Sequence, residues 1–134
     1  MKWHWGIFFA FSLICLTGCS IRSVSTEKVK DLSYELVEEP DIPEEMREPI
    51  SRRQEEPFLL TYADNGRLYI ARGYGKQETD GYEIQVLALY ESENAIVLKT
   101  AFLGPEPDTE VSEEPACPYI VVQTEYSNKY VMTE

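Results

Sequence analysis

The chain has 134 residues, with 12 Lys or Arg against 24 Asp or Glu, so its formal net charge is −12. This length suits one domain with a short appendage, because single domains usually hold roughly 100–150 residues. The acidic balance argues against a nucleic-acid partner, which would need Lys and Arg on the protein to displace counterions from phosphates. It argues equally against electrostatic adsorption to anionic lipid headgroups.

The first nineteen residues have the layout of a bacterial lipoprotein signal. The basic Lys2 precedes an apolar run over residues 3–16, which is shorter than the roughly 20 residues of a transmembrane helix. The run ends in the letters LTGC at residues 16–19, a pattern similar to a lipobox. We expect cleavage after residue 18, so that Cys19 carries diacylglycerol and palmitate-type acyl groups. The alternative is an uncleaved N-terminal anchor with an incidental cysteine.

Lipidation at Cys19 predicts where the protein is located, and the accompanying cleavage removes two potentially reactive side chains. Two or more acyl chains hold a protein stably on a membrane, at about 0.8 kcal/mol per buried CH₂. The domain is therefore expected outside the cytoplasm, lipid-anchored at the cell surface or the periplasmic face of a membrane. Cleavage also discards His4, the only histidine, and Cys15. Cys117 then has no partner for an intramolecular disulfide, so the fold must depend on its hydrophobic core.

The mature chain divides by composition and periodicity. After the signal peptide at 1–18 we expect a polar tether at 19–30, an N-terminal strand and acidic short helix at 31–57, and a β-rich domain at 58–134.

The acidic segment predicts a short or kinked helix around residues 43–55. Asp41 is suited to cap it, with Glu44 completing a capping box. Met46 and Ile50 share one face and are expected to dock on a sheet. The alternative is an extended acidic linker.

From Phe58 onward the apolar residues follow the period of two that is typical of strands. Asn65-Gly66 separates two β-rich runs, which predicts a hairpin. Alternation from Tyr82 to Tyr90 predicts a long strand with one face inward. The fold class expected is mainly β: an antiparallel sheet or small β-sandwich of five to six strands with one short helix.

Motifs for catalysis or cofactors are absent from the sequence. Loss of His4 excludes a Ser-His-Asp arrangement and His-ligated metal, and no phosphate loop, CxxC or HExxH occurs. We therefore expect no enzyme, cofactor or metal. One alternative is a ligand- or Ca²⁺-binding sensor using the carboxylates of loop 106–114, although these lack the EF-hand pattern. The least favoured alternative is a hydrolase that uses a pair of carboxylates.

The segment 73–82, between the hairpin and the long strand, has the most unusual composition. Gly73 and Gly75 indicate positive φ or a close approach to another surface. A turn before Tyr82 then holds that aromatic ring in place. One interpretation packs Tyr82 into the core; the other makes the segment a partner-binding loop, since tyrosines are favoured at interfaces.

Three short motifs make the chain resemble the C-terminal domain of the PrcB protease-complex proteins, also called protease stability proteins. The resemblance covers roughly Phe58 to Tyr126, and it differs from the family at Asp80, where a glycine is usual. It rests on Gly73-Tyr74-Gly75 with Thr79-x-Gly81-Tyr82-x-Ile84, on Leu103-Gly104-Pro105-x-Pro107, and on Pro118-Tyr119-x-Val121-Val122.

This resemblance implies a β domain that binds and stabilises an extracytoplasmic protease, and members of the family occur as lipoproteins. The candidate partner-binding residues are Gly73, Tyr74, Gly75, Thr79, Asp80, Gly81, Tyr82, Pro118 and Tyr119.

A second resemblance is narrower. Thr79-x-Gly81-Tyr82 is also similar to the first loop of chagasin-like peptidase inhibitors. Those inhibitors use a further loop containing tryptophan, whereas Trp3 and Trp5 would leave with the signal peptide.

Overall fold

The computed structural model describes residues 25–134 of the chain. The predicted signal peptide, the lipidation site Cys19 and the first half of the predicted tether lie outside the described residues. Between residues 25 and 134 no helix has the length and apolarity that spanning a membrane requires.

Two β-sheets and a helix make up this part of the chain. The helix, α1, spans Glu44–Arg53 and follows a 3-10 turn at Glu39–Asp41. Within residues 25–134 there are eight strands: β1 Lys28–Asp31, β2 Tyr34–Leu36, β3 Pro57–Asp64, β4 Arg67–Tyr74, β5 Glu83–Ser92, β6 Ala95–Leu103, β7 Tyr119–Glu125 and β8 Tyr130–Thr133.

The strands form two four-stranded sheets, in the orders β1-β5-β6-β8 and β2-β7-β4-β3. Neighbouring strands are antiparallel except for β6 and β8, which are parallel. The prediction of a mainly-β fold with one short helix is confirmed. The described residues contain more strands than the expected five to six, because the short edge strands β1 and β8 were not predicted. β2 lies in the segment where the N-terminal strand was predicted, whereas all residues of β1 are exposed, so no buried face marks that strand in the sequence.

The main core lies between the two sheets, where β4 and β7 face β5 and β6. Apolar residues from the inner faces of both sheets pack together there, and most of them are fully buried: Leu68, Ile70, Leu89, Ile96, Leu98 and Val122. The other face of β4 and β7 is also covered, because α1 packs on it. The sheet β2-β7-β4-β3 is therefore the middle of three layers and is called the middle sheet. The sheet β1-β5-β6-β8 is called the outer sheet.

Helix α1 confirms the predicted helix and its docking face. Met46 and Ile50 are buried against Phe58, Ala71 and Val121 of the middle sheet. The alternative prediction of an extended acidic linker is therefore wrong.

The predicted N-terminal cap of α1 is wrong. The N-cap is Pro43, without a side-chain cap hydrogen bond, and Asp41 belongs to the preceding 3-10 turn. Met46 N–H donates to the Pro43 carbonyl at 3.0 Å, so the backbone itself closes the first turn.

Asn65 and Gly66 form the predicted hairpin turn between β3 and β4, with φ of 51° and 77°. The alternation predicted along β5 holds only in its first half. The register shifts between Val86 and Ala88, and Leu87 is 60% exposed. This bulge turns Leu89 inward and places Ala88 on the opposite face, so a single inward face from Tyr82 to Tyr90 is wrong.

Candidate protein-binding site at one end of the sandwich

The candidate segment crosses one end of the sandwich. It leaves the middle sheet at Tyr74, the last residue of β4, and enters the outer sheet at Glu83, the first residue of β5. Gly75 and Gly81 have φ of +86° and +91°, a conformation that side-chain-bearing residues rarely adopt. These two glycines therefore let the chain reverse direction at each end of the loop.

At Gly73 a steric contact, and not positive φ, requires glycine. It lies opposite Phe58 on the neighbouring strand, and a Cβ added at Gly73 would stand 2.2 Å from the Phe58 Cε1 atom. The aromatic ring thus occupies the space that any side chain at this position would need. The expected close approach is confirmed here, and positive φ is confirmed at Gly75.

A second segment, residues 104–118, holds the loop in place. Gln77 and Ala116 exchange two backbone hydrogen bonds of 2.7 and 3.0 Å. The Asp80 Oδ1 atom accepts a hydrogen bond of 2.8 Å from the backbone N–H of Ser112. Segments 75–82 and 104–118 are called the paired loops. Through this hydrogen bond Asp80, the position that departs from the family pattern, links the two segments.

Contacts at Gly81 close the paired loops further. A Cβ placed there would stand 2.8 Å from the Val111 Cγ1 atom and 3.1 Å from the Pro105 Cβ atom. Positive φ and this close contact both disfavour a larger residue, which explains glycine at the turn.

Three aromatic rings form a column beneath the paired loops. Tyr74 stacks on Phe102 with ring centroids 4.3 Å apart, and Tyr82 stacks on Phe102 at 5.0 Å. The planes differ by 3° and 12°, respectively. The guanidinium of Arg72 lies 4.1 Å from the centroid of the Tyr74 ring, within the range of a cation–π contact. Tyr74, Phe102 and Tyr82 are called the aromatic stack.

The aromatic stack joins the two sheets, because Tyr74 comes from β4 and Phe102 from β6. The Tyr74 hydroxyl also forms a hydrogen bond with the hydroxyl of Thr100 on β6. Tyr82 is half-buried in this arrangement: one face packs on Phe102 while part of the ring stays exposed. The structure thus gives Tyr82 a packing contact, and its predicted role in binding stays a prediction.

Pro118 and Tyr119, the last two candidate residues, contact different parts of the structure. The Pro118 carbonyl accepts a hydrogen bond of 3.2 Å from Tyr74 N–H, next to the aromatic stack. Tyr119 lies on the face of the middle sheet that α1 covers, 6.3 Å from the Phe58 ring between centroids. Its hydroxyl donates to the Glu39 carboxylate at 2.9 Å. The structure therefore separates Gly73 and Tyr119 from the other candidates.

The acidic loop 106–114 is part of segment 104–118 of the paired loops. Its five carboxylates are exposed: Glu106, Asp108, Glu110, Glu113 and Glu114. Within residues 25–134, no three His, Cys, Asp or Glu residues come together in a way that could hold a metal ion. The geometry gives the Ca²⁺ sensor alternative no support.

Sequence reasoning missed Arg72, Thr100, Phe102 and Ser112. Phe102 stands in an apolar run that indicates only a strand, and Ser112 is one polar residue of an acidic loop. No local signal in the sequence distinguishes them, because their contacts depend on how the two sheets face each other.

Loss of the Asp80 carboxylate should loosen the paired loops. We expect Asp80→Ala to increase hydrogen exchange of the Ser112 amide several-fold, because the amide loses its acceptor, while global stability falls by less than about 1 kcal/mol. Asp80→Asn keeps an acceptor oxygen and should preserve most of the protection. Asp108→Ala, which removes an exposed carboxylate of the same segment, is the matched control. Equal Ser112 exchange in the Asp80→Ala and wild-type proteins would contradict this role.

The raised pKa of Tyr119 predicts that the stability of the fold decreases at high pH. Burial, the hydrogen bond to Glu39 and the charge of that carboxylate raise the pKa of Tyr119 to about 12, against the opposing charge of Arg47. Because the pKa is raised above 10.0, the phenol stabilises the fold below pH 10, and this contribution is lost as pH rises towards 12.

Absorbance titration of tyrosinate tests this expectation. Tyr119→Phe should remove a late ionisation step and reduce the alkaline loss of stability, and Glu39→Gln should move that step to lower pH. A late part of the titration that is identical in the wild-type and Tyr119→Phe proteins would rule the assignment out.

Comparison with known proteins gives one family. Residues 68–125 match the family model described as PrcB C-terminal. The match begins in β4 and ends in β7, so it contains all nine candidate partner-binding residues but not β3. Comparison with curated proteins and with solved structures gives no match. The family is one of protease-associated accessory domains and not of catalytic domains. This match supports the assignment of residues 68–125 to the PrcB C-terminal domain family, as their motifs indicated.

Proposed function

We propose that this chain is a lipid-anchored, extracytoplasmic binding protein that holds and stabilises a secreted protease. The single observation that carries the proposal is the ordered loop 75–82, built from the family's own motif residues. It is pinned to segment 104–118 at an exposed end of the sandwich. The family membership of residues 68–125 supplies the protease as the partner class.

A pinned loop suits protein binding because less conformational entropy is lost on association. Asp80 and Gln77 hold it in place through hydrogen bonds of 2.7 to 3.0 Å. Tyr74 and Tyr82, half-buried in the aromatic stack, are fixed in position and partly open to contact. Aromatic residues that become buried on association dominate the binding energy of many interfaces.

Charge indicates the chemistry of the partner's surface near the acidic loop. The exposed carboxylates of loop 106–114 belong to segment 104–118 of the paired loops, in a chain of net charge −12. A partner that carries Lys and Arg opposite this loop would be steered towards it, and the rate of association would then fall with salt.

The lipid anchor has its own test in a bacterium that processes lipoproteins. We expect the wild-type chain in the membrane fraction, cleaved before Cys19 and without tryptophan fluorescence, since Trp3 and Trp5 both precede the cleavage site. Cys19→Ala should remain uncleaved and keep its tryptophans, whereas the control Cys117→Ala should behave as wild type. Tryptophan in the membrane-purified wild-type chain would contradict lipidation at Cys19.

Capture of a protease tests the partner-binding face. Wild-type chain, purified from its membrane after crosslinking, should carry a secreted protease, which should also lose activity faster when the chain is absent. Tyr82→Ala should lower capture at least tenfold, and Tyr82→Phe, which keeps the ring on Phe102, should retain most of it.

The matched control is Tyr130→Ala. Tyr130 is 64% exposed and pairs with Ala95 at the start of β6, whereas Phe102 lies near the end of the same strand. It therefore probes an exposed tyrosine at the opposite end of the sandwich. If Tyr130→Ala reduces capture and Tyr82→Ala does not, the paired loops are not the binding face. Circular dichroism of each variant verifies that the domain is folded.

A further inference from the structure

Arg72 places a positive charge in direct contact with the aromatic stack. It lies on β4 with Leu59 and Ile120 as its cross-strand neighbours, and both of these are apolar. Its guanidinium contacts the Tyr74 ring, and its Nη1 atom donates to the Gly73 carbonyl at 2.5 Å. The head group is therefore held in one orientation between the sheets.

No carboxylate of the described chain neutralises this charge. Among residues 25–134, Arg72 forms no ion pair, and its Nε atom is buried without a hydrogen-bond partner. Residues 1–24 contain no Asp or Glu that could supply one. In contrast, Arg47 and Arg52 pair with glutamates, although the chain has twice as many acidic as basic residues. A buried N–H without an acceptor is uncommon, because its desolvation is not compensated.

The unused donors have the geometry that a carboxylate fits. Because Nη1 is occupied by the Gly73 carbonyl, the free side of the guanidinium is the edge formed by Nε and Nη2. Two parallel N–H groups on one edge of arginine bind the two oxygens of a carboxylate.

This side of the sandwich is open to an incoming group. Strand β8 pairs only with Ala95–Leu98, so the edge of β6 from residue 99 to residue 103 has no strand beside it in the described chain. Thr100 and Phe102, the residues that contact Tyr74, lie in this uncovered stretch. The approach to Arg72 between β3 and β6 is therefore not closed by β8.

We infer that Arg72 binds a carboxylate of the protein partner, donated either by an Asp or Glu side chain or by a chain terminus. This inference rests on the proposed function only for the source of the carboxylate. The guanidinium supplies Nε and Nη2, and the Tyr74 ring together with the Gly73 carbonyl keeps it oriented. Because Nε is shielded from solvent, the carboxylate reaches Nη2 first and Nε after a local movement of the atoms that cover it.

The experiment observes the arginine Nε–H resonances of the chain by NMR, with Arg72 assigned through its bonds to the backbone. The probes are N-acetylglycine, which carries a terminal carboxylate, and N-acetylglutamate α-amide, which carries a side-chain carboxylate. Acetamide is the neutral control. The titration is run near 0.15 M salt, where the Debye length of about 8 Å limits repulsion by the acidic surface.

A saturable shift of the Arg72 resonance with either carboxylate, absent with acetamide and absent at Arg67, is the expected result. Arg67 is the matched control, because it lies on the same strand and its Nε already donates to Gln123 at 3.2 Å. The probe that saturates at the lower concentration identifies the source of the carboxylate. Lack of a saturable shift at Arg72 with both carboxylates would overturn the inference.

Arg72→Lys gives the second measurement, in the protease capture assay. It keeps the charge but not the paired donors, so capture should fall at least fivefold, whereas Arg67→Lys should leave it unchanged. Probe binding without protease capture by the wild-type chain would contradict the proposed function and leave the carboxylate site standing. Capture by the wild-type chain with no probe binding at Arg72 would overturn only the carboxylate site.

Discussion

The fold depends on packing both faces of one strand, β4. Leu68 and Ile70 point into the core between the sheets, whereas Ala71 faces Met46 and Ile50 of the helix. A strand that is buried on both sides is determined in register, because a slip by one residue would exchange its two faces. The same alternation, continued to the end of the strand, sends Tyr74 towards the outer sheet and leaves Gly73 under the Phe58 ring.

The candidate site is a direct continuation of that register. Since Tyr74 reaches Phe102, the two sheets are joined at the point where the chain leaves one for the other. The crossing segment is then tied to segment 104–118 by Asp80 and Gln77. A connection that crosses a sandwich end is usually mobile, but here backbone pairing and stacked rings restrain it. This rigidity, together with exposed edges of Tyr74 and Tyr82, is what makes the site suitable for a protein partner.

Charge divides this end of the molecule into two kinds of surface. The acidic loop 106–114 is exposed and would be screened by salt, so its influence is on approach more than on tightness. Arg72 is shielded, lies against the Tyr74 ring and lacks a counter-ion in the described chain. Electrostatic interactions gain strength as water is excluded, so a single shielded cation contributes more to selectivity than several exposed carboxylates.

Local patterns in the sequence determined the Asn65-Gly66 hairpin, the helical stripe of Met46 and Ile50, and the motifs by which residues 68–125 match the PrcB C-terminal family model. Each depends on residues close together along the chain. Tertiary structure alone decided the bulge at Leu87, the split of the candidate residues between two faces, and the contacts across the sandwich. Tyr74 and Thr100 are 26 positions apart, and Asp80 and Ser112 are 32 apart. Such pairs follow from the register and facing of two sheets, which no local pattern specifies.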